Sequence, residues 1–219
     1  MTSSKMQAEI ATRIETSASL IMGELYDNGH LNRAALAGAR GAATISSPRA
    51  QKVWPFMMNQ LGKLDTSIRK AAPQIEILST SGTPTTTETA LYTAIHFYAV
   101  HQQGSNRAEF GSSRNGNGVS FFTALAILRN APGMRDPLDR RIDALLGMTN
   151  IYSVINALTH LVGILKAKYS GPTIDYPRLA KDLFIFQEDY IDANGIRLQW
   201  GQDYYRLNQK PTTSKGARK

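Results

Sequence analysis

One stretch limits what this chain can fold into more than any other. Over residues 88–103, apolar side chains fall on nearly every face of a helix: Leu91, Ile95, Phe97, Tyr98 and Val100. A helix without a polar face has to be covered all round. A membrane would cover it, but a span needs about 20 apolar residues. No run in the chain reaches that length. The best candidate, 151–165, is broken by Asn156, Thr159 and His160. The stretch therefore reads as the central helix of a protein core, and the rest of the chain must supply its cover. With 219 residues, 42% of them hydrophobic, the chain has the material to do so.

The cover is helical. Residues 5–28 carry Ile10, Ile14, Ile21 and Leu25 at near-helical spacing, and Asp27-Asn28-Gly29 stops them. A short helix is expected over 31–40. Ser47-Pro48 has the chemistry of a helix start, and the helix runs on through Leu61 with a kink or break at Pro55. A weaker helix lies within 64–78 and ends near Pro73. The threonine-rich run 79–87 is a loop whose last threonine caps the central helix. Helices follow over 119–130, from Asp136-Pro137 to about Leu146, over 150–169 from an Asn150 cap, and from Asp175 through Phe186. Residues 188–195 read as an acidic connector before a last helix, 196–207, carrying Ile196, Trp200 and Tyr204. Period-two alternation of useful length is missing, so the class is all-α. The expected organisation is two packed helical bundles, 1–130 and 131–207, then a disordered basic tail, 208–219.

The loop between the two most apolar helices is the candidate for function. Residues 104–118 are rich in Gly, Ser and Asn and carry Arg107 and Arg114. Such residues let a backbone approach phosphates, and the arginines add charge and a forked donor geometry. Phe110 between them either stacks on a base or anchors the loop to the core. Further cations flank this element. Arg129, Arg140 and Arg141 follow it. Arg33 and Arg40 stand two turns apart on one helical face, and Arg49 and Lys52 lie in the first turn after Pro48. Arg140 points away from the apolar stripe of its helix and Arg141 lies at the stripe's edge. A formal charge of +8 favours a polyanion as partner. No base-reading helix pattern stands out, so the contact expected is to backbones and salt-sensitive.

Other chemistries lack their residues. The chain has no cysteine, which removes disulfides, thiolate zinc sites and cysteine nucleophiles. The glycine-rich loop has no Gly-Lys-Ser/Thr and follows a helix, so it is not a phosphate-binding P-loop. No His-Glu-x-x-His, calcium loop or Gly-x-Ser-x-Gly elbow occurs. His96 and His101 do not share a face. His101 reads as a helix C-terminal residue favoured by the dipole, His96 as a satisfied, partly buried side chain, and His160 as a residue of a polar face. The acids needed for a two-metal nuclease are sparse. No enzyme activity, cofactor or metal is expected. No targeting segment stands out at the N-terminus, so the expected location is cytoplasmic.

Several motifs resemble one family. Phe97-Tyr-Ala-Val-His-Gln-Gln-Gly104 is similar to a helix ending in a His-x-Gln turn before a basic loop. Arg140-Arg-Ile-Asp-Ala-Leu-Leu146 resembles an Arg-Arg-Phe-x-x-Leu-Leu segment. Ile174-Asp-Tyr-Pro-Arg-Leu-Ala-Lys-Asp-Leu183 and Ile196-Arg-Leu-Gln-Trp-Gly-Gln-Asp-Tyr-Tyr-Arg206 resemble two further signatures in the same order. The family is the small subunit of the type I-E CRISPR Cascade complex, the CasB family, and the likeness is strongest over 88–207. It implies two helical bundles without enzymatic activity. It implies partners: crRNA, target and displaced DNA strands, other Cascade subunits and further copies of itself, but no membrane. It implies support of the crRNA–target heteroduplex and of the displaced strand of the R-loop in antiviral defence. Arg107, Arg129, Arg140 and Arg141 are carried over from it, with Arg33, Arg40, Arg49 and Lys52. The loop 105–118 is longer and richer in Gly and Asn than the family's, so Arg114 rests on composition alone. The alternative is an unrelated helical interaction module whose basic charge is incidental.

Overall fold

The computed structural model describes residues 3–72 and 74–206. Among them are nine α-helices: α1 (Ser3–Tyr26), α2 (Arg33–Arg40), α3 (Trp54–Ala71), α4 (Thr86–Gln102), α5 (Phe121–Arg129), α6 (Arg135–Leu146), α7 (Ile151–Lys168), α8 (Tyr176–Phe186) and α9 (Tyr190–Tyr205). Short 3-10 turns lie at Asp27–Gly29 and Pro48–Lys52. The expected all-α class is what forms.

α4 is the centre. Its start is set by a reciprocal cap: the Glu88 N–H donates to Thr85 Oγ1 at 3.1 Å, and the Thr85 N–H donates to Glu88 Oε2 at 2.9 Å. From there every residue from Ala90 to Ala99 is buried. α1, α2, α7 and α8 pack around it. α8 is the main partner of both α1 and α4, so this helix crosses the expected line at residue 130. The far end closes on a stack of rings. Trp200 lies between Phe122, centroids 4.8 Å apart, and Phe186, 5.8 Å apart, which ties α9 to α5 and α8.

Four local expectations are corrected. α3 is one helix from Trp54 to Ala71, because Met57, Leu61, Leu64 and Ile68 bury one continuous stripe. Pro55 sits in its first turn, where a missing N–H costs nothing, and the break falls at Val53. Ser47 has the extended backbone of a cap but makes no capping hydrogen bond. α6 starts at Arg135 after Met134, so its cap falls two residues before the expected Asp136. The acidic connector is the first turns of α9: Asp189 accepts from the Asp192 N–H at 2.8 Å, and burial of Ala193 and Ile196 holds the helix. The tail expected over 208–219 lies outside the described residues.

Candidate nucleic-acid interface

The glycine-rich loop is stitched down along its length. The Gly111 N–H donates to Ile174 O at 3.1 Å and the Ile174 N–H to Glu109 O at 3.3 Å. The Val119 N–H donates to Thr173 O at 2.9 Å and the Asp175 N–H to Val119 O at 2.8 Å. These form two isolated parallel bridges on Ile174. Glycine is required where the strands of this lacing touch. A Cβ on Gly118 would stand 2.7 Å from Gly111 O and 2.9 Å from Thr173 O. Asp175, which caps α8, also accepts from the Ser113 N–H at 2.6 Å. Loop amides thus serve the protein's own lacing. Phe110 packs edge-on against Tyr98 at 5.2 Å and Tyr26 at 6.5 Å, so its ring anchors the loop.

The end of α4 sets the base of this loop. The Gln102 side chain donates to Ser105 O and Arg107 O and accepts from the Glu109 N–H. His101, expected as a C-terminal cation, is buried instead. Its Nδ1 lies 2.9 Å from the Tyr176 hydroxyl, and burial holds its pKa below the usual value. His96 is satisfied by Ala39 O at 2.8 Å.

The nine candidate cations fall into three groups. Three are bound to carboxylates. Arg107, exposed, is held by Glu109 through Nε at 2.9 Å and Nη2 at 3.3 Å. Burial alone would raise the Glu109 carboxyl. The hydrogen bonds from Arg107 and Ser105 and the charge of Arg107 outweigh it and hold the carboxyl below its ordinary value. Arg114 reaches back to Glu15 on α1 at 2.5 Å, with Lys181 at 3.8 Å from the same oxygen. Arg129 is buried, 7% exposed. It forks onto Asp139 at 2.6 and 2.8 Å, under the Tyr204 and Tyr205 rings. Its expected place on the surface is therefore taken by a role inside: it clamps α5 to α6 and α9.

A second group gathers at the C-terminal end of α2. Gly38 lets the turn Pro48–Lys52 approach, since a Cβ there would stand 2.7 Å from Arg49 O and 2.8 Å from Lys52 Cβ. The Arg49 guanidinium lies over Gly41 and so beside Arg40, where the helix dipole favours cations. Arg33 is exposed at the start of the same helix. Lys166 joins this group. Its ammonium donates to Gln103 Oε1 at 2.5 Å, and burial together with the charge of Arg40 lowers its pKa. Lys166 lies in the last turn of α7, and its neighbours come from tertiary packing. The third group is Arg140 and Arg141, exposed on α6. Arg141 Nη1 donates to Pro137 O at 2.8 Å. Among the described residues none of Arg33, Arg40, Arg49, Lys52, Arg140 and Arg141 forms an ion pair with a carboxylate.

Among the described residues no group of metal-binding side chains gathers, and no helix is long and apolar enough to cross a membrane. Fold and surface together define an all-α protein with outward-facing cations. The chain belongs to the CRISPR-associated protein Cse2 family, whose model matches residues 32–205. Its fold is similar to the crystal structure of CasB from Thermobifida fusca, at a TM-score of 0.60 and 20% identity, covering 89% of this chain and 97% of that one. It is also similar to a chain of a CRISPR RNA-guided surveillance complex, at a TM-score of 0.59 and 18% identity, covering 88% and 94%. No curated protein sequence matches it. The family named from sequence motifs is thus the family found.

Proposed function

We propose that this chain is the non-catalytic small subunit of a type I-E CRISPR Cascade complex, holding nucleic-acid backbones against its surface. In this reading it supports the crRNA–target heteroduplex and the displaced strand of the R-loop, beside other Cascade subunits and further copies of itself, in the cytoplasm. The observation that carries it is the set of cations on α2, the Pro48–Lys52 turn and α6, all exposed but the half-buried Arg40, without carboxylate partners among the described residues, in a chain of the Cse2 family. A guanidinium already forked onto a carboxylate gains less from a phosphate, because it must first give up that pair. The contact set is therefore Arg33, Arg40, Arg49, Lys52, Arg140 and Arg141, with Lys166 added. Arg107 contributes beside Glu109. Arg114 and Arg129 act through the fold.

The test is the triple change Arg40→Ala, Arg140→Ala, Arg141→Ala, read by single-stranded DNA binding over a salt series. Each lost phosphate contact should lower the slope of log K against log salt by about 0.7. Three contacts together should lower it by roughly 2. An unchanged slope and affinity would sink the assignment.

A further inference from the structure

The groove between α6 and α7 adjoins the surface contacts above through Arg141 alone. Its volume is about 700 Å³, a size that suits a small planar ligand. Its floor is apolar: Ala144 and Met148 from α6, Ala157 and Ile164 from α7. A flat ring set on that floor loses water on one face, and a methionine thioether packs well on aromatic rings. Its edge is neutral and hydrogen-bonding. Ser153, Asn156 and His160 fall on one face of α7 and supply a hydroxyl, an amide and an imidazole. Arg141 is its one lining residue from the cation set, and no carboxylate is among the residues that line it. A nucleotide offers a partner to each of these three chemistries: an apolar ring face, a hydrogen-bonding base edge and a phosphate. An apolar protein side chain would leave the edge and the cation unused.

Building on the nucleic-acid reading, we propose that this groove seats one unpaired base of a single strand whose phosphate Arg141 holds. A duplex does not fit the site, because its bases are stacked and paired inside the helix. His160, read from sequence as a mere polar-face residue, then contacts the base edge.

The experiment compares binding of the full chain to oligothymidylate and to an abasic deoxyribose-phosphate strand of the same length, at one low salt concentration. Contact of the base with the apolar lining and the Met148 thioether should make the intact strand bind on the order of five-fold tighter. Filling the groove with Ala144→Leu and Ser153→Leu, both at exposed helix positions, should bring the intact strand down to the abasic level and leave the abasic strand unchanged. Each single change carries the same test should the double variant not fold. Equal binding of the two strands by the unchanged protein overturns the proposal and leaves the groove to a protein side chain. A filled groove that weakens both strands alike overturns it too. Absence of binding to either strand instead fails the nucleic-acid reading itself.

Discussion

Arg129→Ala separates a clamp from a contact. The guanidinium is 7% exposed and forked onto Asp139, whose Oδ1 also accepts from the Tyr204 hydroxyl at 2.7 Å. Breaking a buried pair from one side costs about 3–5 kcal/mol. Asp139 keeps a quarter of its side chain in reach of water, 26%, and keeps Tyr204, so the lower end of that range applies. The guanidinium also lies 5.5 Å from the Tyr204 and Tyr205 ring centroids, worth about 1 kcal/mol more. A loss of about 4 kcal/mol is expected in all, which for a chain of this size lowers the melting temperature by roughly 8–16 °C. The assay pairs urea unfolding with the salt dependence of DNA binding, on Arg129→Ala and on Arg129→Lys. Lysine keeps the charge but lacks the fork, so both variants should lose stability while both keep the salt slope. A variant that melts like the unchanged protein but loses one phosphate contact's worth of slope would refute the reasoning.

Two other perturbations have equally definite outcomes. Burial pushes the Asp182 carboxyl up to about 6, against the hydrogen bond it accepts from Trp200 Nε1 at 3.0 Å and the charges of Arg178 and Lys181. The folded state then holds this proton more tightly than the unfolded one, so stability is lost as pH rises from about 4 through 6. Asp182→Asn, which still offers Trp200 an acceptor, should be more stable than the unchanged protein by about 2–3 kcal/mol at pH 8 and equal to it near pH 4; a gap in urea unfolding that does not move with pH would refute the cause. Gly118→Ala places a methyl group against Gly111 O and Thr173 O. It should unlace the loop, seen as faster amide exchange at Gly111 and Val119 with α4 unchanged, and equal exchange would count against the close approach.

The fold was legible where a single helix decides its own burial. α4 has apolar side chains on all faces, so its place follows from local rules, while its start falls at Thr86, two residues before the expected 88, because Thr85 and Glu88 cap it reciprocally. α7 and α8 start on Asn150 and Asp175 for the same reason. Legibility failed where tertiary contact overrides composition. Tyr190–Gly195 looks like a solvated acidic stretch, and only the packing of Ala193 and Ile196 makes it helix. His101 looks like a helix-end cation until Tyr176, 75 residues on, is brought to it.

The site divides along the same line. Which residues are cationic is written in the chain; which cations are free is not, because their partners are distant in sequence. Arg129 finds Asp139 ten residues away, and Arg114 finds Glu15 at a separation of 99. Arg129 was a candidate for phosphate through the family resemblance and Arg114 through composition, and both are held by carboxylates. Lys166 runs the other way, a charge near the end of α7 that packing sets beside Arg40. The balance follows from desolvation. A buried arginine needs its carboxylate, since an unpaired charge costs several kcal/mol there, while an exposed one gains little from a pair in water, about 0–1 kcal/mol. Exposed cations can therefore stay unpaired at small cost and meet a polyanion without first breaking anything. On the proposed reading, therefore, α2 and α6, and not the glycine-rich loop, are the surface on which a nucleic-acid strand has most to gain.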